Sequence, residues 1–158
     1  PKFPLPNNYQ FLMRYAHFKN DNTVKEHVKL TLDKIAFGGI YDQIGGGFAR
    51  YSVDESWKVP HFEKMLYDNA QLISLYSEAY TAYRKPLYKE VVEETLAFIK
   101  RELSNENGAF YSALDADSEG EEGKYYIWKK EELKSILGDD YDLFSKYFNI
   151  NETNGMMD

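Results

Sequence analysis

Residues 60–103 read PHFEKMLYDNAQLISLYSEAYTAYRKPLYKEVVEETLAFIKREL, and this stretch decides the fold. Pro60 suits the first turn of a helix, where a missing N–H removes no hydrogen bond. At about 100° per residue, Phe62, Leu66, Asn69, Ile73, Tyr76, Tyr80 and Tyr83 fall within one narrow sector, so the spacing predicts a helix beginning at His61 that buries this stripe. Arg84-Lys85-Pro86 interrupts the pattern. A second stripe follows through Tyr88, Val92, Leu96, Ile99 and Leu103, spaced by three or four residues. Two amphipathic helices with so short a connection form an antiparallel hairpin, the unit from which helical bundles and toroids are built.

Working outward, the three prolines in residues 1–6 exclude a helix there and make an extended lead-in. From Asn7 to Asn20, Phe11, Leu12, Tyr15 and Phe18 recur at helical spacing, with a cap expected at Asn7 or Asn8. Thr23 followed by Glu26 reads as a capping box opening a second helix, whose stripe of Val24, Val28, Leu32 and Ile35 ends at Gly38-Gly39. Past the hairpin, Gly108–Leu114 and Lys124–Trp128 flank an acidic turn and predict a β-hairpin over 108–128. Short helices are expected over 131–137, closed by Gly138, and over 140–148, before a polar tail at 151–158. The predicted core is Val28, Leu32, Ile35, Leu66, Ile73, Tyr76, Tyr80, Val92, Leu96 and Ile99.

A chain of 158 residues suits one domain or a piece of one. The start at Pro1, without Met, is what an excised or processed piece would show. A net charge of −7, with no Lys/Arg cluster, argues against nucleic acid or an anionic membrane as partner. With no cysteine, these residues carry neither disulfides nor thiolate zinc sites nor thiol redox chemistry, and the cytoplasm is the default compartment. Nothing approaches the roughly 20 apolar residues of a membrane helix, so a soluble protein is expected. No phosphate-binding loop, dinucleotide fingerprint or serine-hydrolase elbow occurs, and no cofactor is expected. Aromatic residues make up 16% of the chain, an excess that must fill a core or line a cleft.

The candidate site lies where the glycine-rich segment 38–60 runs into the helix expected from His61. Gly38, Gly39, Gly45, Gly46 and Gly47 would let backbone turn sharply or approach a ligand, while Asp42, Arg50, Tyr51, Asp54 and Trp57 lie between or beyond them. On one helix His61 and Asp68 would stand about 20° apart at the edge of the stripe. His61 could then transfer a proton, and Asp68 could orient a neighbour or bind hydroxyls. Glu63 and Tyr67 would form an i,i+4 pair on the polar side. Asn69, on the apolar stripe, is expected to tie the glycine segment to the helix. Trp57, Phe48 and Tyr51 could stack on a sugar ring or roof the core.

Asp115, Asp117, Glu119 and Gly120 imitate the start of a calcium loop, but Tyr126 stands where a bidentate Glu is required. No metal ligand is therefore assigned, although a looser site from Asp115, Asp117, Glu119, Glu121 and Glu122 stays open beside a solvated acidic turn. Asp115 or Asp117 could also pair with Asp42 as acid and base. His17 and His27 read as structural.

PKFP at residues 1–4, YDQIGGGFARYSVDESWKVPHFEKMLYDNAQL at 41–72 and SALDADSEGEEGKYYIW at 112–128 resemble the spermatogenesis-associated thioredoxin-like family, called YyaL in bacteria. The resemblance covers most of the chain. It implies a mainly α fold, the first part of an (α/α)6 toroid similar to six-hairpin glycosidases and sugar 2-epimerases. An upstream thioredoxin-like domain and later hairpins would belong to the same polypeptide. It further implies a toroid mouth lined by Asp42, Arg50, Tyr51, Trp57, His61, Glu63 and Asp68, with Asp115 and Asp117 contributed by the β-hairpin. The paired histidines of related epimerases are matched only at His61. Two functions follow as expectations: a carbohydrate-active or carbohydrate-binding site for a small sugar-like ligand, a hydrolase or epimerase if enzymatic, or a non-catalytic scaffold positioning the thioredoxin-like domain or its clients.

Overall fold

A computed structural model describes residues 1–148 and 150 of the chain. The backbone falls into two compact units, Pro1–Lys124 and another from Tyr125 onward. The first contains helices α1 (Pro6–Lys19), α2 (Asn22–Ala36), α3 (Leu66–Tyr83) and α4 (Pro86–Glu102). Between and after them run short strands β1 (Tyr51–Ser52), β2 (Pro60–His61), β3 (Lys64–Met65), β4 (Ala113–Leu114), β5 (Asp117–Ser118) and β6 (Glu121–Glu122). The second unit contains α5 (Lys130–Leu137), a 3-10 turn over Gly138–Asp140 and α6 (Tyr141–Tyr147), close to the predicted short helices. The predicted tail at 151–158 lies outside the described residues. The described residues are mainly helical, and none of their helices is long and apolar enough to cross a membrane.

Two helical hairpins form the frame of the first unit, α1 with α2 and α3 with α4, and α1 also packs on α3. Asn20 ends α1 in the left-handed region at φ 52°, its N–H reaching back to the carbonyls of Ala16 and His17. Asp21 follows in extended conformation and accepts the Val24 N–H at 3.1 Å. The cap of α2 is therefore Asp21 rather than Thr23, because the tight turn at Asn20 brings the chain into helix sooner than a capping box would. Likewise α1 opens at Pro6, whose fixed φ suits the first helical position, and not at Asn7 or Asn8. Between α3 and α4, left-handed Arg84 and the leading Pro86 make the short connection the sequence predicts.

The core gathers Val28, Leu32 and Ile35 of α2, Leu72, Leu75 and Tyr76 of α3, and Tyr88 and Val91 of α4, with Ile40, Phe48 and Trp57 from the glycine-rich segment. Each such large side chain, fully buried, contributes roughly 1.5 to 3 kcal/mol. Buried phenol groups remain hydrogen-bonded: Tyr76 Oη donates to Leu32 O at 2.8 Å, and Tyr88 Oη to Asp33 Oδ1 at 2.9 Å.

The helical phase differs from the predicted one on three helices. The buried face of α3 is Asn69, Leu72, Leu75, Tyr76 and Ala79, with Leu66, Ile73 and Tyr80 half-buried at its flanks. On α4 the buried face is Tyr88, Val91, Thr95, Phe98 and Ile99, which leaves Val92 half-buried and Leu96 43% exposed. Apolarity alone misplaced the stripe because Thr95 is buried with its hydroxyl bonded to Val91 O at 2.6 Å, so it needs no other partner. On α1, Met13 and Ala16 face inward while Phe11, Tyr15 and Phe18 are exposed.

The largest correction concerns residues 60–65, which are extended rather than the first turns of a helix. Strand β2 pairs antiparallel with β1, Tyr51 opposite His61 and Ser52 opposite Pro60. Strand β3 pairs with β4, Lys64 opposite Leu114 and Met65 opposite Ala113. The lead-in adds a bridge, Lys2 exchanging both backbone hydrogen bonds with Ser52 at 2.7 and 3.0 Å. The predicted hairpin over 108–128 also shrinks. Its first arm pairs with β3, and the hairpin is β5 with β6 around Glu119-Gly120, while Lys124–Trp128 forms no strand.

Candidate functional site

The extended conformation of residues 61–65 distributes side chains to opposite sides of the backbone. His61 and Glu63 share one side with Arg50 and Tyr51, and Lys64 goes to the other. This alternation divides the residues expected to form a single chamber into two groups.

On the inner side, Lys64 is 3% exposed. Its Nζ donates to Asp42 Oδ2 at 2.8 Å and Gly46 O at 3.0 Å, and lies 4.5 Å from the centre of the Phe98 ring. Asp42 Oδ1 accepts the N–H groups of Ile44 and Gly45 at 3.0 and 2.8 Å. Burial disfavours the Asp42 carboxylate, but Lys64 and these donors outweigh it and hold its pKa below the usual 3.8. Asp42 is thus committed to closing the glycine-rich turn and leaves the expected site. Gly47 explains part of that turn's composition: at φ +81° a side chain is strained, and a Cβ would come within 2.4 Å of the Phe98 ring. The glycines admit helix α4 here, where a ligand was expected.

Asn69 does what the sequence predicts. Fully buried, it accepts the Phe48 N–H at 2.7 Å and donates to Phe48 O and Met65 O at 3.0 and 2.8 Å, tying the segment to α3. Trp57, 3% exposed, sits in the core at φ 66° beneath Lys2, so it is not available to stack on a sugar. Asp54 accepts the backbone N–H groups of Ser56, Lys58 and Val59, which bring its pKa down to about 2 against the opposing effect of burial.

On the outer side, six expected residues come together: Arg50, Tyr51, His61, Glu63, Tyr67 and Asp68. Arg50 Nη1 donates to Glu63 Oε2 at 2.8 Å, and Arg50 N to Glu63 O at 2.8 Å. Glu63 and the nearby Tyr67 hold the guanidinium more firmly protonated. His61 stacks on Tyr51 with ring centres 4.7 Å apart and planes 14° from parallel. Its Nε2 stands 3.9 Å from Glu63 Oε2, and its Nδ1 meets Glu122 Oε1 at 2.7 Å. Asp68, in the first turn of α3, feels both Arg50 and Glu63; burial raises its carboxyl pKa above 3.8, the Arg50 charge opposing and Glu63 adding. Two atoms in this group are buried without a hydrogen-bond partner, Arg50 Nε and Asp68 Oδ2.

Asp115 and Asp117 do not join as an acid–base pair with Asp42. Both are exposed, and Asp115 Oδ1 accepts the Asp117 N–H at 3.2 Å within a local turn. Among the described residues no three His, Asp or Glu side chains are grouped to hold a metal ion, the acidic turn included. Sequence reasoning missed Glu122 as a partner of His61 and Lys64 as the partner of Asp42. The available signal was the alternation His61, Glu63 against Phe62, Lys64, which fits a strand as well as a helix. A separate groove of about 810 Å³ between the C-terminal halves of α1 and α3, lined by Met13, Ala16, Phe18 and Tyr83 among others, shares no residue with the polar group.

Comparison with known proteins finds relatives over most of the chain. Human spermatogenesis-associated protein 20 is 44% identical over 147 residues, covering 87% of this chain and 19% of that protein. The chain is homologous to a segment of spermatogenesis-associated protein 20. The mouse protein of the same name matches at 43% identity over the same share of each chain. An uncharacterized protein of Caenorhabditis elegans is 36% identical over 173 residues, 97% of this chain and 24% of that one. The chain therefore spans about a fifth to a quarter of the length of these relatives. No family model matches.

Proposed function

We propose that the outer face of residues 50–68 binds a small polyhydroxylated, sugar-like ligand in the complete protein. The two helical hairpins would then be the first part of an (α/α)6 toroid, with the ligand at its mouth. One observation carries the reading: a buried donor, Arg50 Nε, and a buried acceptor, Asp68 Oδ2, stand unpaired within one charged group. Leaving such atoms unpaired costs about 1 to 3 kcal/mol each, and a hydroxyl, which both accepts and donates, has the chemistry to pair with either of them. The face of the Tyr51–His61 ring pair adds the apolar surface that a sugar ring favours. Within such a site Asp68, whose pKa burial raises, suits the role of proton donor, and His61 that of proton acceptor.

The test is a thermal-shift panel of mono- and oligosaccharides on the intact polypeptide. Saturable stabilisation by one sugar class, lost in Asp68→Asn and His61→Ala, is expected. No stabilisation by any sugar would remove the carbohydrate reading.

A second reading, a non-catalytic helical module that positions a thioredoxin-like domain of the same polypeptide or its clients, draws on Asp42. That side chain is committed to Lys64 and the turn, as a structural staple would be. Under this reading Asp42→Asn and Arg50→Ala lower the melting temperature and no sugar raises it.

A further inference from the structure

Glu122 is far from His61 in sequence, yet the two share a 2.7 Å hydrogen bond. The geometry points to Glu122 as a positioning residue that fixes the protonation pattern of His61, making its Nε2 an acceptor for a ligand hydroxyl. The inference deepens the sugar-like reading above and rests on it only for the identity of the ligand.

An ionised carboxylate can only accept, so the shared hydrogen belongs to His61 Nδ1. In the neutral imidazole Nε2 then carries a lone pair. At 3.9 Å from Glu63 Oε2 that nitrogen is beyond hydrogen-bonding distance, and Glu63 Oε2 already accepts from Arg50 at 2.8 Å. Stacking on Tyr51 restricts the tilt of the ring, and the bond to Glu122 selects its rotation about the stack. Without Glu122 no hydrogen bond holds the hydrogen on Nδ1, and the remaining carboxylate beside the ring, Glu63, stands 3.9 Å from Nε2.

The arm that brings Glu122 is built to hold position. Strands β5 and β6 pair Asp117 with Glu122 and Ser118 with Glu121 across Glu119-Gly120, both at positive φ, 54° and 80°. Two successive left-handed residues make the tight turn whose twist matches a β-hairpin. At the base of β6, Gly123 N–H donates to Ala116 O at 2.9 Å, and a Cβ on Gly123 would meet the Phe62 ring at 2.4 Å. The hairpin is thus seated on the residue next to His61, which sets the Glu122 carboxylate against the imidazole. The consequence is a specificity element: the site selects a ligand hydroxyl that donates at Nε2 and discriminates against a deoxy or O-methyl analogue at that position.

The experiment uses the intact protein with isotope-labelled histidine. Long-range imidazole ¹H–¹⁵N correlations are recorded in the neutral form, and His61 is assigned by loss of its signals in His61→Gln. Wild type is expected to show hydrogen on Nδ1. Glu122→Gln should retain this pattern, since the amide oxygen can accept the same hydrogen, while Glu122→Leu should shift to the tautomer mixture of free imidazole. Any stabilising sugar should bind roughly tenfold or more weakly to Glu122→Leu than to wild type, the equivalent of one good hydrogen bond. Hydrogen on Nε2 in wild type, or an unchanged pattern in Glu122→Leu, overturns the proposal whether or not any sugar binds. Full-strength sugar binding by Glu122→Leu overturns it while leaving the sugar reading intact. Should Glu122→Leu fail to fold, the wild-type pattern and its retention in Glu122→Gln decide.

Discussion

Glu63 and Lys64 are adjacent in sequence and opposite in circumstance. Lys64 points inward, where its ammonium, the Asp42 carboxylate and the Gly46 carbonyl satisfy one another over the Phe98 ring. Glu63 points outward into a group that includes Arg50, His61 and Asp68 and leaves two buried atoms without partners. The inner set has the character of a structural clamp, closed on itself. The outer set retains hydrogen-bonding capacity, which is what a binding site requires. Charged residues in a single motif can therefore be closed on one another on one side of a strand and left partly unpaired on the other.

The largest effect is expected on the inner side. Lys64→Ala strands the Asp42 carboxylate, and a loss of about 3 to 5 kcal/mol in denaturant unfolding is expected. The paired replacement Asp42→Asn with Lys64→Met should recover much of this, because no unpaired charge is then left buried. A loss below about 1 kcal/mol for Lys64→Ala would mean the pair is not the clamp described. Asn69→Ala comes next. It leaves the Phe48 N–H and carbonyl without their partner, so a loss of about 2 to 3 kcal/mol is expected by the same measurement.

The smallest effect concerns pH and has opposite signs on the two sides. Asp42 titrates below 3.8 in the fold, so its stabilisation is present above 3.8 and is lost as pH falls through its folded value. Asp68 titrates above 3.8, so the folded state holds the proton more tightly and stability falls as pH rises from 3.8 through the folded value. Asp68→Asn should therefore be as stable as wild type or slightly more so near neutrality, with the advantage disappearing in acid. Denaturation midpoints across pH would check it; a marked loss of stability in Asp68→Asn at neutral pH would place Asp68 with the clamp.

The sequence reveals most of the helical frame because the evidence for it is local. The Arg84-Lys85-Pro86 break, the stripe of Val28, Leu32 and Ile35, and the tie made by Asn69 are all legible without long-range information. Residues 60–65 are not, since Pro60, Phe62 and Leu66 fit a helix start equally well. What decides against helix is pairing with Tyr51–Ser52 and with Ala113–Leu114, a non-local choice that periodicity does not contain. Of the residues expected to form the site, Arg50, His61, Glu63 and Asp68 do lie near one another, as their closeness to the junction of the glycine-rich segment with α3 suggests. Asp42 and Trp57 were misassigned because chemical type does not reveal whether a polar or aromatic group is already buried against a partner. Glu122 was invisible for a related reason, as its link to His61 depends on how the hairpin at Gly123 seats on Phe62.

The most direct measurement is titration calorimetry of the intact protein and its folded Asp68→Asn variant with a sugar that stabilises wild type. Saturable binding to wild type is expected, with none detectable to Asp68→Asn at the same concentrations. Equal affinity in the two proteins would mean that Asp68 Oδ2 has no part in holding a ligand and would remove the proposed site.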